Sequence, residues 1–305
     1  MVGKVIDVPD ELAAAQEKFN GAAGRAFVAG LPRRAAHFLD LWDLSVDGPA
    51  MHGVSALVLP VVRHGSRPGQ ERGGPARAAL KLQLLDEESV GEPVALRLWD
   101  GDGSVRLLEH DASTCTLLLE RLDETRLLTG LPDAREAVLV IAGLLARLTA
   151  VPAPAGLRRL GDVAHAMLEQ VPWALAHVPG PADRRLVRDC AAAVREVLPE
   201  PGDRLLHWDL HFDNVLGSDR ADWLAIDPKP LAGDPGFDLL PALDNRYDPG
   251  EVRWRFDALT GVLGLDRERA RAWTLARVLQ NCLWEIEDGR PLDAVQLEIG
   301  RLLRR

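Results

Sequence analysis

The chain has 305 residues, a net charge of −10, 47% hydrophobic residues and 27% charged residues. This balance excludes disorder as the default and leaves enough apolar surface for a large core. The acid excess argues against a nucleic-acid surface, which needs clustered Lys and Arg, and no apolar run reaches the roughly 20 residues that cross a bilayer.

From the amino terminus, residues 7–44 read as helical, with Leu12, Phe19, Phe27, Leu31, Phe38 and Leu41 at helical spacing and an interruption expected at Gly30, Leu31 and Pro32. Residues 54–62, VSALVLPVV, read as a strand. Residues 64–76 are rich in Gly, Pro and Arg and read as a turn or loop. The next strand, 78–85, alternates so that Lys81 and Gln83 share the face opposite Leu80, Leu82 and Leu84. A helix is expected over 86–99, then a hairpin of strands 104–109 and 114–120.

After Leu122 the pattern changes to amphipathic helices at 132–150, 161–177, 183–198, 250–263, 266–288 and 291–304, with only 205–227 breaking it. The chain is therefore expected to be α+β, with a sheet-containing lobe over 1–122 and a helical lobe over 123–305. Clefts between such lobes are common ligand sites. Cys115, Cys190 and Cys282 are an odd, widely spaced set without metal-ligand partners, so buried reduced thiols are expected. With no basic start followed by an apolar run at residues 1–10, a cytoplasmic location is expected.

The segment HWDLHFDN, residues 207–214, places Asp209 two positions after His207 and Asn214 five after Asp209, the spacing of the kinase catalytic loop. Phosphoryl transfer needs a carboxylate to orient or deprotonate the acceptor hydroxyl, and oxygen ligands for the metal on the triphosphate. Asp209 fits the first task and Asn214 the second. Asp227 follows 13 residues later at the end of the apolar run Trp223-Leu224-Ala225-Ile226, where a second metal-binding carboxylate belongs. There the tripeptide is Asp227-Pro228-Lys229, in place of the kinase Asp-Phe-Gly. His207 is expected to support the loop by packing and hydrogen bonding. Taken singly, these residues would be turn and cap formers, and it is their joint spacing that points to a kinase.

Lysine occurs only at positions 4, 18, 81 and 229, and Lys81 is the one placed on a strand suited to bind nucleotide phosphates. Its partner is expected to be Glu92, which precedes the helical run 94–99, with Glu88 one turn earlier as an alternative. Pro93 complicates both, since a proline inside the helix removes a backbone bond and would put Glu92 at a helix start. Glu120 and Leu122, in LLLERL, are the expected carbonyl and amide that meet the purine. Backbone recognition leaves ATP and GTP equally open. No glycine-rich phosphate motif is present; the turn at residues 51–55, with Ser55 donating to a phosphate oxygen, is the best substitute.

With these residues in view, the chain resembles the aminoglycoside phosphotransferases, in particular the streptomycin 6-kinase-like branch of aminoglycoside/hydroxyurea antibiotic resistance kinases. The resemblance runs nearly end to end, through Leu31-Pro32 and Trp42, the Lys81 strand, ALRLWDGDGSVRL, LLLERL, HWDLHFDNVL and AIDPKPLAGDPGFDLLPALDNR. It implies a bilobal protein-kinase-like fold and transfer of a nucleotide γ-phosphoryl group to an antibiotic hydroxyl with Mg2+. An aminoglycoside such as streptomycin is cationic, and Asp234, Asp238, Glu285 and Asp288 are the expected carboxylates for it. The alternatives are a kinase for another small alcohol, such as hydroxyurea, a peptide antibiotic or a metabolite, or a catalytically silent kinase-like binding protein. The expected partners are a nucleotide and a small molecule, with neither nucleic acid nor membrane, in a monomer or small homo-oligomer.

Overall fold

Residues 6–65 and 76–304 are described by a computed structural model, and their contacts divide into two units: residues 1–101 with 105–122, and residues 102–104 with 123–305. Most of the Gly, Pro and Arg-rich stretch expected as a loop lies outside the described residues. No described helix is long and apolar enough to cross a membrane.

The first unit begins with α1 (Asp10–Leu41). The expected interruption at Gly30 to Pro32 is corrected: Pro32 lies inside the helix, and the break falls at Gly21, with φ 52° and ψ −125°. That combination is open only to glycine. The bend also brings Gly24 onto the Gln16 carbonyl, where an added Cβ would stand 2.0 Å from the oxygen.

Five strands of this unit form an antiparallel path: β1 (Leu44–Val46), β3 (Ala56–Arg63), β4 (Ala76–Gln83), β6 (Thr116–Glu120) and β5 (Leu107–Asp111). The short β2 (Met51–His52) also pairs with β3. Pro60 interrupts no ladder because it sits between the stretches of β3 that pair with β1 and β2, and only its carbonyl is used there, by the Asp47 N–H. One face of the sheet, Leu57, Leu59, Val61, Ala78, Leu80 and Leu82, packs on Leu12, Phe27, Leu31, Ala35 and Phe38 of α1. The period of 2 in the strands and the helical period of α1 thus meet in one core. Arg34 fastens the helix to the sheet by donating to Thr116 Oγ1 at 2.9 Å, to the Gln83 carbonyl at 3.0 Å and to the Thr114 carbonyl.

The expected 86–99 helix is shorter, and only α2 (Glu92–Trp99) is α-helical. Pro93 explains the late start: its fixed φ suits a first turn and its missing N–H costs nothing there. Asp86 makes an Asx-type turn upstream, accepting the Glu88 and Ser89 N–H groups.

The second unit contains β7 (Asp123–Leu127), α3 (Ala134–Leu148), α4 (Leu160–His177), α5 (Pro181–Val197), β8 (Arg204–Leu206), β9 (Val215–Gly217), β10 (Leu224–Ala225), β11 (Leu231–Gly233), α6 (Leu240–Asp244), α7 (Val252–Leu263), α8 (Arg267–Glu287) and α9 (Ala294–Leu303). Asp133, Asp266 and Asp293 cap α3, α8 and α9 by accepting first-turn N–H groups. α8 is the central helix, with Trp273 fully buried. The four strands between α5 and α7, together with β7 from before α3, form two small antiparallel sheets, β10-β9-β7 and β11-β8, which carry the kinase-like loop. β7, β11 and α6 were not expected from the sequence, since each is too short to show a period. Cys115, Cys190 and Cys282 are buried free thiols, and burial pushes Cys190 up to about 12.

Candidate active site

In the first unit, β4 delivers Lys81 and Gln83 to the face opposite the core, and the first residue of α2 meets them. Lys81 Nζ lies 2.7 Å from both carboxylate oxygens of Glu92, and Gln83 Nε2 donates to Glu92 Oε2 at 2.7 Å. The pair is buried, with 5% and 1% of the two side chains exposed. Such a pair persists where hydrogen bonds satisfy its remaining oxygens, a task that falls here to Gln83. Geometry thereby separates Glu92 from Glu88 as the partner of Lys81. Cys115 closes the cluster, accepting weakly from Gln83 and donating to the Ser89 carbonyl.

Ser55 lies half-buried in the turn between β2 and β3, closed by the Gly53 N–H on the Ala56 carbonyl. Gln16 of α1 donates to the Val54 carbonyl of that turn at 3.2 Å. Glu120 ends β6, where its Oε1 accepts the Arg106 N–H and its own N–H donates to the Arg106 carbonyl. Leu122 follows, buried.

In the second unit, the loop from His207 to Asn214 runs from β8 to β9, and Asp227 follows β10. Buried His207 joins these pieces: its Nε2 pairs with the Ile226 carbonyl at 3.0 Å, and its Nδ1 accepts the Asp209 N–H at 3.3 Å. These contacts require Nε2 to carry the proton and Nδ1 to be bare. Burial, first among the causes, lowers the His207 imidazole to about 3, so it is neutral and unsuited to act as a base near neutral pH. Asn214 Nδ2 donates to the Asp209 carbonyl at 2.9 Å, which fixes the amide orientation and leaves Oδ1 as the oxygen donor. The Ile226 N–H donates to the Asn214 carbonyl, and the Lys229 N–H to the His207 carbonyl, each at 2.9 Å. His207, Asp209, Asn214 and Asp227 thus belong to one hydrogen-bonded frame.

Two residues of this frame are left-handed: Trp208 at φ 67° and Asp227 at φ 55°. Non-glycine residues adopt this region uncommonly, and surrounding bonds must hold them there. For Trp208 the holder is Asp238, whose Oδ1 and Oδ2 accept the Trp208 and His207 N–H groups. The Trp208 indole is buried beneath the loop among Arg158, Arg277 and Phe237. The Asp209 carboxyl is raised from its ordinary value by burial, opposed by His211, Arg277 and Lys229 and assisted by Asp227.

The four carboxylates expected to meet a cationic acceptor all have partners within the chain. Asp238 is fully buried on the loop backbone, and burial raises it to about 7. Asp234 accepts the Gly236 N–H at 2.8 Å and Arg269 Nε at 2.6 Å. Glu285 accepts the Asp293 N–H at 3.0 Å, and exposed Asp288 pairs with Arg290 at 3.0 Å. Sequence reasoning missed the loop-supporting role of Asp238, and that of Asn245, whose Oδ1 accepts the Phe212 N–H at 2.6 Å. Neither lies at a periodic position, so the only signal was their place in a Gly, Pro and Asp-rich stretch.

Comparison with known proteins gives a consistent result. Residues 41–289 match the family described as aminoglycoside/hydroxyurea antibiotic resistance kinase. The chain is 66% identical over 290 residues to a hydroxyurea phosphotransferase of Kitasatospora aureofaciens, covering 94% of this chain and 83% of that one. It is 52% identical over 310 residues to a streptomycin 6-kinase of Streptomyces glaucescens, covering 99% and 98%. Among solved structures, a choline/ethanolamine kinase family protein from Mesorhizobium loti superposes with a TM-score of 0.56 at 17% identity, over 86% and 87% of the two chains. That likeness shows the protein-kinase-like fold.

Proposed function

Because the chain belongs to the aminoglycoside/hydroxyurea antibiotic resistance kinase family, we propose that it transfers the γ-phosphoryl group of ATP or GTP to a hydroxyl of a small antibiotic molecule, in a magnesium-dependent reaction. The observation that carries this reading is the frame of Asp209, Asn214 and Asp227, tied together through His207, the Asn214 amide and the Ile226 peptide. Its bonds tie the loop that bears Asp209 and Asn214 to the segment that ends in Asp227.

In this reading Asp209 accepts the proton of the acceptor hydroxyl as its oxygen bonds to the γ-phosphorus and the bond to the nucleotide β-oxygen breaks. A carboxyl raised by burial is suited to that work, because proton transfer is most efficient when the base lies closer to the operating pH. Asn214 and Asp227 would hold magnesium. The fit is chemical: Asn214 presents Oδ1 because its amide is spent on the Asp209 carbonyl, and Asp227 supplies a carboxylate. Magnesium takes one or two protein oxygens together with phosphates and water. It supplies charge neutralisation on the phosphates when bound.

Lys81, oriented by Glu92 and Gln83, binds the α- and β-phosphates. Glu120 and Leu122 offer backbone groups to the purine, and the Ser55 turn covers the phosphates. His207 and Asp238 position the loop and take no part in proton transfer.

For the acceptor, streptomycin and hydroxyurea are the two substrates named among the relatives. Hydroxyurea is favoured by the higher identity of its kinase and by the internal partners of all four acidic residues expected for a cationic aminoglycoside. Inactivation of an antibiotic is the role that either acceptor implies.

The test is incubation of the full chain with magnesium and γ-labelled ATP or GTP, against hydroxyurea, streptomycin and a panel of other aminoglycosides. Wild type is expected to label at least one acceptor, and Asp209→Asn to bind nucleotide but lose transfer. Nucleotide binding without transfer to any acceptor, unchanged in Asp209→Asn, would overturn the reading.

A further inference from the structure

Lys229 is one of four lysines in the chain, and it stands two residues after Asp227, in the tripeptide that replaces the kinase Asp-Phe-Gly. Its Nζ lies 3.0 Å from Asp227 Oδ1, with 17% of the lysine side chain and 29% of the aspartate side chain exposed. The backbone around it is held from both sides. Pro228 and Pro230 restrict φ, and the Lys229 N–H donates to the His207 carbonyl at 2.9 Å. Lys229 thus meets Asp227 from an anchored stem, beside a residue whose own backbone is left-handed. The same ammonium acts on Asp209, since Lys229 is among the charges opposing the burial of that carboxyl.

An anchored ammonium on a carboxylate that is to receive a divalent ion is a competing cation. It neutralises the carboxylate and fixes its rotamer while no metal is present, and metal binding must then part the pair. An ordinary surface lysine would do neither, because an exposed pair has little geometric constraint.

We propose that Lys229 is a built-in counter-ion of Asp227, holding that carboxylate in place in the nucleotide-free enzyme and giving it up when the metal and nucleotide bind. This rests on the reading of Asp227 as a metal ligand. Lys229 is a positioning residue, and its effect is a lowered affinity for free metal in the absence of nucleotide.

The test is Mn2+ binding to the full-length, nucleotide-free protein, followed by electron paramagnetic resonance, in wild type, Lys229→Met, Lys229→Arg and Asp227→Asn. Lys229→Met is expected to bind Mn2+ about tenfold more tightly, the order of effect that removal of one charge-assisted contact gives. Lys229→Arg keeps the charge and is expected to bind as wild type, and Asp227→Asn to bind more weakly. Mn2+ should also raise the Tm of Lys229→Met by more than that of wild type, which a merely structural lysine would not produce.

If Asp227→Asn weakens binding but Lys229→Met does not strengthen it, the counter-ion is overturned and the metal site stands. If Asp227→Asn binds as wild type, the assignment of Asp227 fails and the proposal with it. Should Lys229→Met not fold, Lys229→Gln gives the same comparison.

Discussion

Asp238 Oδ1 accepts the backbone N–H of Trp208 at 2.8 Å, and this bond helps to hold a left-handed tryptophan one residue before the proposed base. The other oxygen takes the His207 N–H at 2.9 Å, so Asp238 and His207 form one buried assembly with opposite titration behaviour. Asp238, raised to about 7 in the fold from an ordinary 3.8, contributes stability that is present below pH 4 and lost as pH rises toward 7. His207, lowered to about 3 from 6.5, contributes stability that is present above pH 6.5 and lost as pH falls toward 3. Between about pH 4 and 6.5 the two slopes oppose each other. Asp238→Asn should therefore make unfolding free energy rise with pH relative to wild type, and His207→Gln should make it fall, each by up to about 1.4 kcal/mol per pH unit. Urea denaturation at several pH values checks both signs, and parallel curves for the three proteins would refute them.

The Lys81 and Glu92 pair makes a second prediction. Removing one partner strands a buried charge, so Glu92→Ala and Lys81→Met should each destabilise the chain by about 3–5 kcal/mol. The double variant should lose less than the sum of the two, because neither charge then remains. Thermal and chemical denaturation give the coupling energy. Steady-state kinetics should show KM for nucleotide raised in Lys81→Met, and a Lys81 variant with unchanged KM would remove that residue from phosphate binding.

Much of this was legible because its signals are periodic or spaced. The alternation of β4 put Lys81 and Gln83 on one face, and Glu92 met them there. The six long helices of the second unit appeared where apolar spacing placed them, within a few residues at each end. What stayed hidden depends on distant partners. Asp238 read as a pocket carboxylate because nothing local records that the loop 30 residues upstream would fold onto it. The break in α1 is expected near Gly30, Leu31 and Pro32, yet it falls at Gly21, because the kink needs a residue free to take φ 52° and ψ −125°.

A third prediction concerns the acidic end of α8. Glu285 serves the Asp293 N–H and Asp288 serves Arg290, so neither is expected to be the anchor of a cationic substrate. Glu285→Gln, which keeps an oxygen for the Asp293 N–H, and Asp288→Asn, which loses only an exposed pair, should each change KM for whichever acceptor is phosphorylated by less than about twofold. A rise well beyond that for streptomycin alone would restore these carboxylates to the acceptor site.

The turn that carries Ser55 is braced from α1 by Gln16, which is 1% exposed and donates to the Val54 carbonyl while its Oε1 accepts from Asn20 at 3.1 Å. If this turn covers the nucleotide phosphates, its stiffness should be felt in nucleotide binding and less in the chemical step, because the brace acts on a backbone carbonyl and touches no reacting atom. Gln16→Leu keeps the volume close but removes the donor, at a cost of about 0.5–1.5 kcal/mol, which corresponds to roughly a 2- to 12-fold rise in KM for nucleotide. kcat should stay within about twofold, since uniform binding is lost without loss of interactions made only in the transition state. Ser55→Ala should raise KM in the same way, and the double variant should be little worse than Gln16→Leu, because both act on one turn. Loss of stability in Gln16→Leu with KM unchanged would leave the brace a purely structural contact and take the phosphate role away from Ser55.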